Sequence, residues 1–123
     1  MKTRYADQRA YRTRDQSEIR ELMHPARDAA LGAARQSLAE ARVAPGALTL
    51  RHRHHASEEI YHITGGHGLM ELGAQRFAIG PGDTVCIPPG TPHRLHNTGT
   101  EVLVVLCACS PPYRHEDTEL LDA

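Results

Sequence analysis

Two histidines spaced by a single residue, His52 and His54, sit in the run LTLRHRHHASEEIYHITGGHG. On an extended strand, side chains two apart share a face with Cα atoms about 7 Å apart, so both imidazoles reach one ion. On a helix the same spacing turns them nearly opposite ways. HxH therefore has the geometry of a metal pair only on a strand, and the local alternation reads as one. Leu48, Leu50, His52 and His54 fall on one face of Ala47 to His55, with Arg51 and Arg53 on the other. After a turn-like HASE, Glu59 opens the next segment and can return antiparallel beside the pair, adding a carboxylate. Glu58 is the rival acid, but parity puts it on the opposite face with Ile60 and His62. Tyr61 shares the face of Glu59 and is read either as a substrate contact and proton-transfer group or as a core tyrosine. A second cluster runs GDTVCIPPGTPHRLHN, Gly82 to Asn97. There a Pro-Pro-Gly turn precedes His93 and leaves it little freedom to lose on binding an ion.

The elements around these residues must be short. Between Gly65 and Gly99 there are eight glycines and four prolines, whereas only Pro25 and Gly32 precede residue 45. Such punctuation leaves segments of strand length and excludes long helices. Strands are predicted over Ala47–His55, Glu59–Thr64, Gly68–Leu72, Gln75–Ile79, Thr84–Ile87 and Val102–Cys109. The alanine-rich Ala26 to Val43 has helical propensity but also alternates. We read an edge strand from about Gln36 to Ala44, preceded by a loop.

The chain has 123 residues, 40% hydrophobic and 24% charged, with a formal net charge of -1. This fits one globular domain with a single core and argues against disorder. The charge balance gives no nucleic-acid footprint. The longest apolar run, Val102 to Cys109, is far below the ~20 residues of a spanning helix. The charged N-terminus lacks the apolar core of a secretory signal. Cys86, Cys107 and Cys109 are odd in number and show no CxxC spacing, so they are read as reduced thiols of a cytoplasmic protein. Cys107 and Cys109 share a strand face, where they read as small buried hydrophobes. Nine histidines against one Phe and no Trp is an unusual exchange for a small core. Of the remaining histidines, His24, His55, His62, His67, His96 and His115 are read as surface or supporting residues.

The two clusters together resemble a single-domain cupin. Its first motif, G-x5-H-x-H-x4-E-x6-G, is met by Gly46, His52, His54, Glu59 and Gly66, and its second, G-x5-P-x-G-x2-H-x3-N, by Gly82, Pro88, Gly90, His93 and Asn97. The resemblance implies an all-β fold, a double-stranded β-helix or jelly-roll barrel. It divides the chain into an N-terminal extension with edge strands over 1–44, a barrel core over 45–110 and a tail over 111–123. It also carries the metal ligands over to His52, His54, Glu59 and His93.

Three imidazoles and a carboxylate suit one divalent transition ion: Fe, Mn, Ni, Cu or Zn. Four ligands on an octahedral ion leave two positions open for substrate, or for substrate and dioxygen. The resemblance implies a metal-dependent enzyme, oxygenase-like, acting on a small polar or acidic organic molecule, with Tyr61 the candidate catalytic group. A sugar isomerase, epimerase or lyase is the first alternative and a non-catalytic ligand-binding module the second. A partner is expected as well. VLVVLCAC is apolar on both strand faces, so its outer face calls for cover from the N-terminal segment or from a second subunit in a homodimer.

Overall fold

The computed structural model describes residues 1–28 and 32–122. Among them run eleven strands: β1 Tyr11–Arg12, β2 Glu18–Met23, β3 Ser37–Val43, β4 His52–His54, β5 Glu58–Gly65, β6 Gly68–Leu72, β7 Gln75–Ile79, β8 Thr84–Ile87, β9 His93–His96, β10 Leu103–Ser110 and β11 Thr118–Leu120. The helical content is one turn, α1 Pro25–Asp28, and two 3-10 turns. The strands form two antiparallel sheets, ordered β1-β2-β3-β10-β5-β8 and β11-β4-β9-β6-β7. Their inner faces enclose one core, with Ile63, Leu103 and Val105 from the first sheet meeting Met70 and Leu95 from the second. This is the jelly-roll barrel.

The alternation read from the sequence is the alternation of burial. Along β10, Leu103, Val105, Cys107 and Cys109 are buried, while Val104, Leu106 and Ala108 stand half-buried on the outside. Along β5, Glu59, Tyr61 and Ile63 point inward, and Glu58 and Ile60 point out. The motif glycines Gly46, Gly66, Gly82 and Gly90 all have positive φ. At Gly66 (φ +78°) a Cβ would also lie 2.5 Å from the Val102 carbonyl oxygen, so only glycine lets the β5–β6 turn close against the chain entering β10.

Four expectations need correction. The segment before residue 36 is not simply a loop: β1 and β2 form a hairpin there, with α1 following, though residues 29–31 of that segment lie outside the described residues. Local pattern missed β2 because pairing makes it a strand, with Ile19 opposite Ala41 and Glu21 opposite Ala39. For the same reason β3 is interior, between β2 and β10. The strand expected over Ala47–His55 shrinks to His52–His54, and its parity fails upstream, where Thr49 is buried and Leu48 is exposed. Thr49 sets this by bonding β9, its N–H donating to Leu95 O (2.9 Å) and its Oγ1 accepting from Leu95 N–H (2.9 Å). Finally, the tail adds a strand, β11, paired with β4.

The tail is fastened by Asp117, buried at 6% exposure. Its carboxylate accepts from Ala56 N–H (2.9 Å) and Ser57 N–H (3.1 Å) in the turn after β4. Burial alone would raise its pKa, but these two donors outweigh burial and hold it below the usual value. A depressed folded pKa stabilises the fold above the unfolded pKa of about 3.9 and loses that contribution as pH falls towards the folded value. Asp117→Ala is expected to cost about 1–3 kcal/mol in urea unfolding at pH 7, because it strands the buried N–H of Ser57 and frees that of Ala56. The deficit relative to the unsubstituted protein should shrink below about pH 4.

Candidate metal centre

Four buried side chains from three strands meet inside the barrel: His52 and His54 of β4, Glu59 of β5 and His93 of β9, none more than 5% exposed. The register places His52 directly opposite His93, and β5 brings Glu59 across from the other sheet. One ligand atom from each of the three histidines lies within 4.8 Å of the others. Glu59 Oε1 lies 3.3 Å from His54 Nε2 and 3.5 Å from His93 Nε2.

The protein dictates which nitrogen of each ring faces the centre. His52 Nδ1 bonds the Leu50 carbonyl (2.9 Å), and His93 Nδ1 bonds that of Thr91 (2.9 Å). A carbonyl only accepts, so each Nδ1 carries the proton and each Nε2 is bare in the neutral ring. His54 Nδ1 meets Thr118 Oγ1 (3.1 Å), whose hydroxyl hydrogen is committed to the Arg114 carbonyl (3.1 Å). His54 must therefore donate as well. Three lone pairs thus face a carboxylate oxygen, and two of these atoms, His93 Nε2 and Glu59 Oε1, are buried with no hydrogen-bond partner. Buried acceptors facing one another are unfavourable unless something positive sits between them. A divalent ion satisfies all four together, so the donor set fits the metal that the motifs imply.

The electrostatics agree. Burial would raise the Glu59 pKa, and the His54 and His93 rings bring it down only where a positive charge stands at their Nε2 atoms, which the bare rings do not supply and a bound ion does. Its other oxygen, Oε2, accepts from Cys109 Sγ–H (3.1 Å). His52 is shifted down, first by burial and then by the neighbouring His93, which favours the neutral, coordinating ring.

Beside these ligand atoms lies a cavity of about 40 Å3. Tyr61 lines it, 5% exposed, with its ring edge-on to that of His93 (centroids 5.9 Å apart). Among the described residues its hydroxyl has no hydrogen-bond partner, so the backbone bond expected of a core tyrosine is absent. Sequence reasoning missed most of the other lining residues. Thr13, Asp15, Ser17 and Glu21 come from the β1–β2 hairpin and its turn, Tyr113 and Thr118 from the tail. None lies in either motif, and no local signal marks them, because only the pairing of β2 with β3 and β11 with β4 brings them over the barrel. Cys107 and Cys109, read as core hydrophobes, are buried but also line the cavity. An outer cleft of about 460 Å3 shares Glu21 and Tyr113 with the cavity and is lined by Arg27 and Arg114; among the described residues no arginine or lysine lines the cavity itself. Of the other histidines, His55, His67 and His115 are exposed, and His24, His62 and His96 are half-buried away from the centre.

Residues 39–109 match the cupin-domain family Cupin_2, and the chain belongs to that family. It is 49% identical over 122 residues, 99% of this chain and 95% of the relative, to the uncharacterized protein MJ1618 of Methanocaldococcus jannaschii. Among solved structures it resembles Streptomyces PAC13 with uridine at a TM-score of 0.78 and 12% identity, over 98% of this chain and 89% of that one. It also resembles the Lactobacillus farciminis oxalate decarboxylase–formate complex at a TM-score of 0.80 and 21% identity, covering 94% of this chain but only 34% of that one. At these identities the two structures establish a shared fold. Among the described residues no helix is long and apolar enough to cross a membrane.

Proposed function

We propose that the protein is a metal-dependent cupin enzyme, oxygenase-like, that acts on a small polar or acidic organic molecule at a centre held by His52, His54, Glu59 and His93. The observation carrying this reading is the confrontation of three tautomer-locked Nε2 atoms with Glu59 Oε1, two of the four atoms being buried without a partner. When bound, the ion (Fe, Mn, Ni, Cu or Zn) supplies Lewis acidity and, where redox-active, one-electron chemistry. Around it, Leu50, Thr91 and Thr118 orient the imidazoles, and Cys109 orients Glu59 through its second oxygen. The four ligand side chains are themselves buried, none more than 5% exposed. Tyr61, whose pKa burial and then the Glu59 charge push up, serves as proton donor to the substrate.

A second reading, a metal-dependent isomerase, epimerase or lyase, is supported by that same unpartnered hydroxyl, because those reactions need a positioned proton-transfer group and no oxygen. The similar PAC13 fold is described as a nucleoside dehydratase. The test is metal analysis of protein purified without chelator, followed by oxygen-uptake screening against small acids, diketones and thiols. Turnover that persists under strict anaerobiosis excludes the oxygenase reading and leaves the second. Ligand binding without any turnover favours a binding module.

We also propose that the chain works as a homodimer, in a reducing compartment that suits its three free cysteines. The β1–β2 hairpin extends the sheet at its edge instead of covering the outer face of β10. The cross-strand row Leu38, Ala108, Ile60 and Cys86 is therefore left as an apolar stripe, with Leu38 40% and Ile60 41% exposed. Light scattering at micromolar concentration should give twice the 13.6 kDa chain mass, and Ile60→Lys should halve it. A monomeric unsubstituted protein would defeat the proposal.

A further inference from the structure

Asp15 reaches the centre from outside both motifs. Its turn closes through Thr13 N–H donating to Ser17 O (3.0 Å), and Leu50 N–H donates to Asp15 O (2.7 Å), which ties the turn to the chain entering β4. Asp15 Oδ1 is fully engaged: Thr13 Oγ1–H (2.5 Å), Ser17 Oγ–H (2.7 Å) and Ser17 N–H (3.0 Å) all donate to it. That arrangement aims the remaining oxygen, Oδ2, at the centre, 3.8 Å from His52 Nε2. Tyr61, 5% exposed and with no hydrogen-bond partner for its hydroxyl among the described residues, lines the same cavity. Glu21 adds a second acceptor, since its Oε2 is buried without a donor.

The balance of charge then selects the occupant. Asp15, Glu21 and Glu59 line the cavity, and among the described residues no lysine or arginine does; burial raises the Glu21 pKa, against which His24 and Arg27 act from the outer cleft. A divalent ion held by Glu59 offsets two of the three carboxylates, so the site keeps a net charge of about −1 towards whatever binds. In a buried space a carboxylate ligand would meet repulsion there, while two hydroxyls of one molecule would donate one to each acceptor. The volume of about 40 Å3 admits a group the size of about three waters.

We infer that Asp15 is a specificity-determining residue of this site, and that the occupant is a small uncharged hydroxylic molecule, a polyol or hydroxyketone, not a carboxylate. One of its hydroxyls donates to Asp15 Oδ2, and Tyr61 O–H donates to an oxygen of the occupant. The inference rests on the metal reading above and narrows its substrate class.

The test uses full-length protein loaded with Co(II), whose visible absorption responds to ligands, titrated with dihydroxyacetone and with glycerate. Half-saturation by dihydroxyacetone should come at a concentration at least about tenfold lower than by glycerate, because like-charge contacts in a dry site cost that much or more. Asp15→Asn keeps an acceptor for Thr13 and Ser17 and should still take up Co(II), but its preference should collapse or reverse in favour of glycerate. If that variant does not fold, Glu21→Gln carries the same expected shift. Equal or tighter binding of glycerate by the unsubstituted protein, an unchanged preference in the variant, or no spectral response to either probe would overturn the inference while leaving the metal reading intact. A protein that takes up no Co(II) overturns both.

Discussion

His93→Ala, purified without chelator, is expected to carry under about a tenth of a divalent ion per chain, where the unsubstituted protein carries about one. The effect should be this large because His93 is completely buried and its bare Nε2 faces Glu59 directly, so the truncation removes one of four donors and leaves a void in its place. His52→Ala should behave alike. His62→Ala and His115→Ala should retain the ion, since His62 bonds Thr84 on the outer face and His115 is exposed. Elemental analysis on folded protein decides the matter, and full occupancy in His93→Ala would refute the ligand assignment. Occupancy should also fall on acidification towards pH 5, because free imidazole titrates near 6.5 and only the neutral ring coordinates. Loading should raise the thermal midpoint in proportion to the logarithm of free metal, a rise that His93→Ala abolishes.

Tyr61→Phe should leave metal content and stability unchanged and lower kcat by about 10²- to 10⁴-fold on whichever substrate the screen returns. Stability is spared because the lost hydroxyl has no hydrogen-bond partner among the described residues, so its removal strands nothing. The ring itself, edge-on to His93, stays in place. A core tyrosine would show the opposite pattern, with turnover intact and about 1 kcal/mol of stability lost along with its bond. Unchanged kcat in Tyr61→Phe would remove Tyr61 from the chemistry.

Each of these outcomes turns on residues that local sequence pattern could reach in part. Period-two alternation put Glu59, Tyr61 and Ile63 on one face of β5 and Glu58 and Ile60 on the other, and their burial follows that order. Strands ending in Gly or Pro turns, such as Gly68–Leu72, Gln75–Ile79 and Thr84–Ile87, were legible to the residue, because backbone restrictions on Gly and Pro act locally. The spacing of the two motifs marked the four residues now grouped at the centre, since strand parity carries each onto an inward face wherever the strands pair.

What lies over that centre came only with tertiary structure. Glu18–Met23 carries a single β-branched residue and becomes a strand by pairing with β3, and Thr118–Leu120 by pairing with β4. Those two pairings deliver Asp15, Glu21, Tyr113 and Thr118, from as far as 39 residues before His54 and 64 after it, to the walls of one cavity. Propensity and period act over a few neighbouring residues. Which distant strand completes a sheet edge is decided by the edge left open when the barrel closes, so the fold and the grouping of the three buried histidines were readable from sequence, while the shape and charge of the cavity were not.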